Sequence, residues 1–225
     1  MKRILLCCEG TADQGGKTYA DGEYINADGV MQVFMRRVSG SNDLAFAVKT
    51  RQDLKSIRIT KKYLCKEGIT SLRLALLVKQ EKCTHLAYHR DEDKKDFNEM
   101  YTQVHNYFTD VKKSGIACLA IVPMRMTESW LLADETAFEK LFSGKPNSPV
   151  LPKNPEKTWG ESNDDTRPKK YLKNVLAQYH EQPSSELYVQ IAEEINIDVL
   201  RRKCPISFDQ HFYTDMQMFI PKVAV

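Results

Sequence analysis

A chain of 225 residues, 42% apolar and 28% charged, has the composition of an ordinary soluble globular protein of one domain with room for an appended subdomain. That excludes disordered, collagen-like and coiled-coil architectures, and a chain this long buries enough surface to need no disulfide or zinc scaffold. A net charge of +3 excludes binding of nucleic acid by bulk charge but leaves a local basic patch open.

Ile4 to Cys8 is a short apolar run that predicts a buried strand. It follows Lys2 and Arg3 and stops at Glu9, too short for a signal peptide, so the chain reads as cytoplasmic. Val30, Phe34 and Val38 recur at helical spacing, and Leu44 to Val48 is a second strand. Ile69, Leu72 and Leu76 mark the next helix, and His85 to Tyr88 a third, weaker strand. Phe97, Met100, Tyr101, Val104, Phe108 and Val111 follow the 3.6-residue period closely. Ile116 to Val122 is the clearest strand; the apolar stretch around it, to Met124, is too short to span a bilayer. Thr127 or Glu128 opens a helix carrying Leu131, Phe138, Leu141 and Phe142. Strands alternating with helices predict an α/β fold, a mainly parallel sheet flanked by helices, over residues 1–142.

Residues 143–168 hold five of the nine prolines and almost no periodicity, which predicts a loop excursion. Residues 169–225 return to helical patterns: Leu172, Val175, Leu176 and Tyr179; then Tyr188, Ile191, Ala192 and Ile195; then Pro205 opening a helix with Phe208, Phe212 and Phe219. They predict a C-terminal helical appendage, whose aromatic residues suit either core or a docking surface. The six cysteines form no CxxC pair and no zinc-finger spacing, so they read as reduced structural thiols.

In open parallel sheets functional groups gather beyond the carboxyl ends of the strands. After the first strand come Glu9, Gly10 and Asp13; after the third, Asp91, Glu92 and Asp93; after the fourth, Glu128. One such carboxylate is ordinarily a helix cap or a solvated turn. Three clusters at successive strand ends repel one another unless a cation neutralises them, and hard oxygen donors suit Mg²⁺ or Mn²⁺.

The order of a strand, Glu9-Gly10-Thr11-Ala12-Asp13, and a later strand followed by Asp91-Glu92-Asp93 resembles the Toprim domain. That domain is shared by type IA and II topoisomerases, bacterial primases and overcoming-lysogenization-defect-type nucleases. Glu128-Ser129-Trp130-Leu131-Leu132-Ala133-Asp134 and Arg167-Pro168-Lys169-Lys170-Tyr171-Leu172 are similar to a small bacterial Toprim-like family encoded beside ATPases, often in phage-defence contexts. The resemblance implies a Toprim-like fold with Glu9, Asp91 and Asp93 as catalytic metal ligands and Asp13 and Glu128 as further ligands. It implies a Mg²⁺- or Mn²⁺-dependent nuclease serving as effector beside an ATPase partner; the short apolar stretches predict no membrane attachment, and self-association stays open.

Two alternatives remain at this point: an inactive Toprim-like binding subunit, and a nucleotide-hydrolysing enzyme. Gly15-Gly16-Lys17-Thr18 imitates a phosphate loop, but Thr11 stands where its first glycine belongs and the residues after Thr18 start a helix poorly. His89-Arg90-Asp91 imitates a kinase catalytic loop without the asparagine or DFG that must follow. A nucleic-acid track is expected from the basic run that includes Lys49, Arg51, Lys61 and Lys62, with Lys169 and Lys170 as a second group; the bland reading of each is a solvated basic face.

Overall fold

The computed structural model describes residues 2–10, 13, 15–20, 23–59, 65–92, 96–145, 148–157 and 167–221. Strands β1 (Lys2–Cys8), β4 (Leu44–Thr50), β5 (His85–His89) and β6 (Ala117–Ile121) form one sheet of four strands in the order β4-β1-β5-β6. Every pairing in it is parallel, Ile4 lying opposite both Phe46 and His85. The protein is therefore an α/β fold whose sheet is flanked by helices.

Why β1 reads as an unbroken apolar run is plain from its two faces. Ile4, Leu6 and Cys8 enter one hydrophobic cluster, and Leu5 and Cys7 enter the other. A parallel strand buried on both sides has no polar face to alternate with. The first cluster joins helix α1 (Val30–Ser39) to Trp130, Leu172, Ile191, Phe208 and Phe212. The C-terminal helices thus share one core with the sheet: the change in pattern after residue 142 is not a break in the core. Phe208, Phe212 and Phe219 are buried there, which answers the choice between core and docking surface for these rings.

The second cluster lies under α3 (Lys66–Gln80) and α4 (Phe97–Asn106), α2 being the short helix Arg51–Ser56. Helix α3 is where predicted, but its buried stripe is Ser71, Leu74, Leu77 and Val78, and Leu76 is exposed. A helix with many apolar residues all round offers the sheet more than one face, and packing chooses between them. A hairpin of β2 (Gly16–Ala20) and β3 (Glu23–Ala27) adds two strands that no apolar run signals. Gly16 opens a strand there, so no helix N-terminus stands behind the glycines as a phosphate loop requires. Gly15 sits at φ 73°, and a Cβ on it would lie 2.2 Å from the Ala27 carbonyl oxygen, so only glycine fits.

The proline-rich stretch is anchored where it is described. Leu151 and Glu156 are buried. Glu156 Oε1 accepts from the Ser207 amide and hydroxyl at 2.5 and 2.7 Å, and Oε2 accepts from the Ile206 amide at 2.9 Å. All six cysteines are free, with Cys7, Cys8, Cys83 and Cys204 buried. Among the described residues no helix is long and apolar enough to cross a membrane.

Candidate functional site

The crossovers from β1 to β4 and from β4 to β5 leave β1 central, so the chain reverses direction across the sheet beside β1 and β5. Ligand sites of open α/β sheets form at such a point, beyond the carboxyl ends of the strands. Glu9 and Asp13 follow β1, His89 ends β5, and Arg90 and Asp91 follow it. From the end of β6 a short loop leads to Thr127 and Glu128, which open α6 (Thr127–Leu131) after the small helix α5 (Thr109–Lys112) of the preceding crossover.

His89 is the centre of this edge. Its side chain is wholly buried, with Nδ1 3.8 Å from Asp13 Oδ2 and Nε2 3.4 Å from Asp91 Oδ1. Thr127 Oγ1 lies 3.1 Å from His89 Nε2, and the Thr127 amide donates to Asp91 Oδ1 at 3.1 Å. Burial alone disfavours the imidazolium, but Asp13 and Asp91 outweigh it and hold the His89 pKa well above its ordinary value. The imidazole lies between two carboxylates that favour its protonated form. Asp13 packs against Gly10, where a Cβ would lie 2.8 Å from Asp13 Oδ2 and the carboxylate would have to shift. Burial raises the Asp13 pKa, with His89 opposing and Asp91 adding to the rise.

Glu9 faces the other way. Arg51 Nη1 donates to Glu9 Oε1 at 2.5 Å, and Arg90 Nε lies 4.0 Å from Glu9 Oε2. Among the described residues Glu9 Oε2 and His89 Nδ1 are buried atoms without a hydrogen-bond partner. Glu92 serves the scaffold. Its Oε2 accepts from the Arg125 amide at 2.9 Å, bracing the loop in which Arg125 adopts φ 66°.

Glu128 is buried at the start of α6. Burial first, and then the charges of Asp91 and Asp13, push its carboxyl up to about 7. Below about 4.5 the group is protonated in both folded and unfolded chains, and the folded state bears no cost. Between about 4.5 and 7 the unfolded chain ionises while the folded one stays protonated, so stability falls across that window and levels off above it. The expected result is that Glu128→Gln, melted with a chelator present, is more stable than wild type at pH 8 by up to about 3 kcal/mol, the difference vanishing near pH 4. A pH-independent difference would contradict the assignment.

The sequence-predicted basic residues divide. Lys49 is paired with Glu81 at 2.7 Å. Arg51 enters the site through Glu9. Lys61, Lys62 and the predicted ligand Asp93 lie outside the described residues. Lys169 and Lys170, with Arg167, Lys173, Met126 and Tyr188, line a cleft of about 420 Å³. The cleft opens beside the acidic cluster, for Met126 directly precedes α6 and the Glu128 carboxyl feels the Lys169 charge.

Sequence reasoning misses three participants: His89, Arg90 and Thr127. His89 looks like one of five scattered histidines, and only its place at the end of a strand could single it out.

Hard carboxylate oxygens suit a divalent Mg²⁺ or Mn²⁺ ion chemically. Among the described residues, however, no three His, Cys, Asp or Glu side chains are arranged to hold one. Glu9 is engaged by Arg51, Asp13 and Asp91 face His89, and the predicted ligand Asp93 lies outside the described residues.

A family model described as a domain of unknown function (DUF4276) matches residues 42–217. Among curated proteins and among solved structures nothing matches. The matched span holds Asp91, Glu128 and the basic cleft and leaves out Glu9 and Asp13. Covered over most of its length, the chain belongs to the DUF4276 family.

Proposed function

We propose that the protein is a metal-dependent nuclease of the Toprim-like kind, hydrolysing phosphodiesters of DNA or RNA. The observation that carries this is the convergence of Asp13, Asp91 and Glu128 from three strand ends onto one edge, with a four-cation cleft alongside. Glu9, Asp13, Asp91, Asp93 and Glu128 would hold Mg²⁺ or Mn²⁺, which when bound polarises a phosphodiester and lowers the pKa of a bound water. The chain's own groups prepare this edge. His89 keeps Asp13 and Asp91 together against their repulsion, and Thr127 fixes Asp91 by two donors. The cleft cations offset an acidic edge that would otherwise repel a polyanion.

The test is a panel of single- and double-stranded DNA and RNA incubated with Mg²⁺, Mn²⁺ or chelator. Cleavage that needs the ion supports the reading, and no cleavage of any substrate at saturating metal contradicts it. Charge reversal at Lys169 and Lys173 together should weaken binding equally for all sequences and lower the salt slope by roughly 1.5 to 2. An unchanged slope would return these lysines to a solvated face.

The small net charge and the lack of an evident recognition module suit control from outside the chain. We assign the protein the role of effector in an ATPase-coupled anti-phage system, acting in the cytoplasm. This predicts co-purification with the product of the adjacent gene and toxicity only on triggering. Full activity alone, with phage resistance unaffected by deletion, would contradict it.

A further inference from the structure

We propose that Arg51 and Arg90 form the seat for a backbone phosphate of the nucleic acid, and that Glu9 is the resident anion this phosphate displaces. The inference rests on the reading of the site as one for phosphodiesters, and it concerns where one phosphate docks rather than whether the bond is cut.

The two guanidiniums come from different strand ends and address different oxygens of one carboxylate. Arg51 follows β4 directly, and the start of its helix is fixed by Thr50 and Asp53, whose side chains and backbone amides bond reciprocally. Arg90 follows β5, its amide donating to the Ile121 carbonyl at 2.9 Å. Its Nη1 is held by Gln103 Oε1 at 3.1 Å and by the Tyr107 hydroxyl at 3.0 Å. The guanidinium is thereby immobilised with Nε toward Glu9, and little of it is exposed. Side chains held this way lose little freedom when an anion arrives.

Glu9 does not satisfy this seat. Oε1 reaches Arg51, but Oε2 stops 4.0 Å from Arg90 and, among the described residues, makes no hydrogen bond although that atom is buried. A planar carboxylate on a fixed backbone offers two oxygens. A tetrahedral phosphate offers more acceptors, free to settle between two forks, and arginine matches it bidentately. Two guanidiniums against one carboxylate also leave a positive excess at a point otherwise ringed by acid. Arg51 follows β4 and Arg90 follows β5, so the pair brackets Glu9 at the end of β1, and Arg90 adjoins Asp91 in the chain, so a strand seated on the arginines lies next to the acidic cluster.

The test is titration of inorganic phosphate and of a short single-stranded DNA, by calorimetry, with chelator present so that no cleavage occurs. Glu9→Gln should bind both more tightly than wild type, on the order of tenfold, since the competing charge is gone. Asp91→Asn removes one charge from the same edge but not from the arginines, and should gain much less. Arg51→Ala and Arg90→Lys should each lose the phosphate binding; Arg90→Lys keeps the charge and removes only the fork, and thermal melting verifies folding of both. Equal gains in Glu9→Gln and Asp91→Asn would overturn the proposal, leaving general electrostatics. So would unchanged phosphate affinity in the arginine variants, or a gain for inorganic phosphate without a gain for DNA. Failure of the nuclease reading shows instead as absence of metal-dependent cleavage in wild type, which this metal-free titration does not measure.

Discussion

Asp91→Asn should lower metal-dependent cleavage by about a hundredfold or more while the fold survives. Asparagine keeps an acceptor for the Thr127 amide and hydroxyl, so the junction between β5 and α6 retains its geometry. What is lost is the negative charge that a hard cation needs. His89 also loses one of its two carboxylate neighbours, so its pKa falls and the melting temperature drops modestly. Glu9→Gln should be similarly damaging to cleavage. The measurement is the initial rate across a Mg²⁺ titration, with melting curves for each variant. Full activity in both variants would remove these carboxylates from the chemistry.

The largest stability effect is expected at Trp130. Its ring is fully buried, with centroids 5.8 Å from Phe34, 5.0 Å from Phe208 and 5.3 Å from Phe212. Its indole N–H donates to Ser207 Oγ at 2.8 Å, and Ser207 is held by Glu156. One side chain therefore ties α1, α6, the proline-rich stretch and the π-helical segment Pro205–Tyr213. Trp130→Ala should cost about 3–5 kcal/mol, since the surrounding rings cannot collapse fully into the space. For a chain this long that lowers the melting temperature by roughly 10 °C. Trp130→Phe keeps a ring and loses the hydrogen bond, at a cost of about 1–2 kcal/mol. Urea midpoints measure both, and an unchanged midpoint for Trp130→Ala would contradict the account of this core.

The run from Glu128 to Asp134 divides between site and scaffold. Glu128 faces the acidic cluster, and Trp130 centres the core. Asp134 Oδ1 caps α7 (Glu135–Leu141) through the Thr136 amide at 3.0 Å, while Oδ2 accepts from the Asn196 amide at 2.8 Å. It thereby pins the turn between α9 (Ser185–Glu194) and α10 (Ile197–Lys203), the helices that follow α8 (Pro168–Gln178). A segment that looks like one functional signature thus carries two kinds of constraint.

How much can be read from the residues alone follows from range. All four sheet strands announce themselves as apolar runs, most fully the central β1, which is buried on both faces. The β2–β3 hairpin escapes although Asp21-Gly22 is a strong two-residue turn signal, because its glycines and Lys17 invite comparison with phosphate loops instead. Strand-end logic places Glu9, Asp13, Asp91 and Glu128 on one edge. It does not show that Glu9 meets an arginine 42 positions away, nor that His89 sits between two carboxylates. Such pairings are made by topology, and periodicity carries no trace of them. The face of α3 escapes for a similar reason, since Leu72 and Leu76 match the period as well as Leu74 and Leu77 do.

The most direct test of the central claim is the anomalous signal of Mn²⁺ soaked into crystals of the protein. A metal-dependent nuclease built on this edge predicts density within coordination distance of Glu9 and Asp91, with Asp93 beside it. Well-ordered side chains with no anomalous peak among them at saturating Mn²⁺ would contradict it.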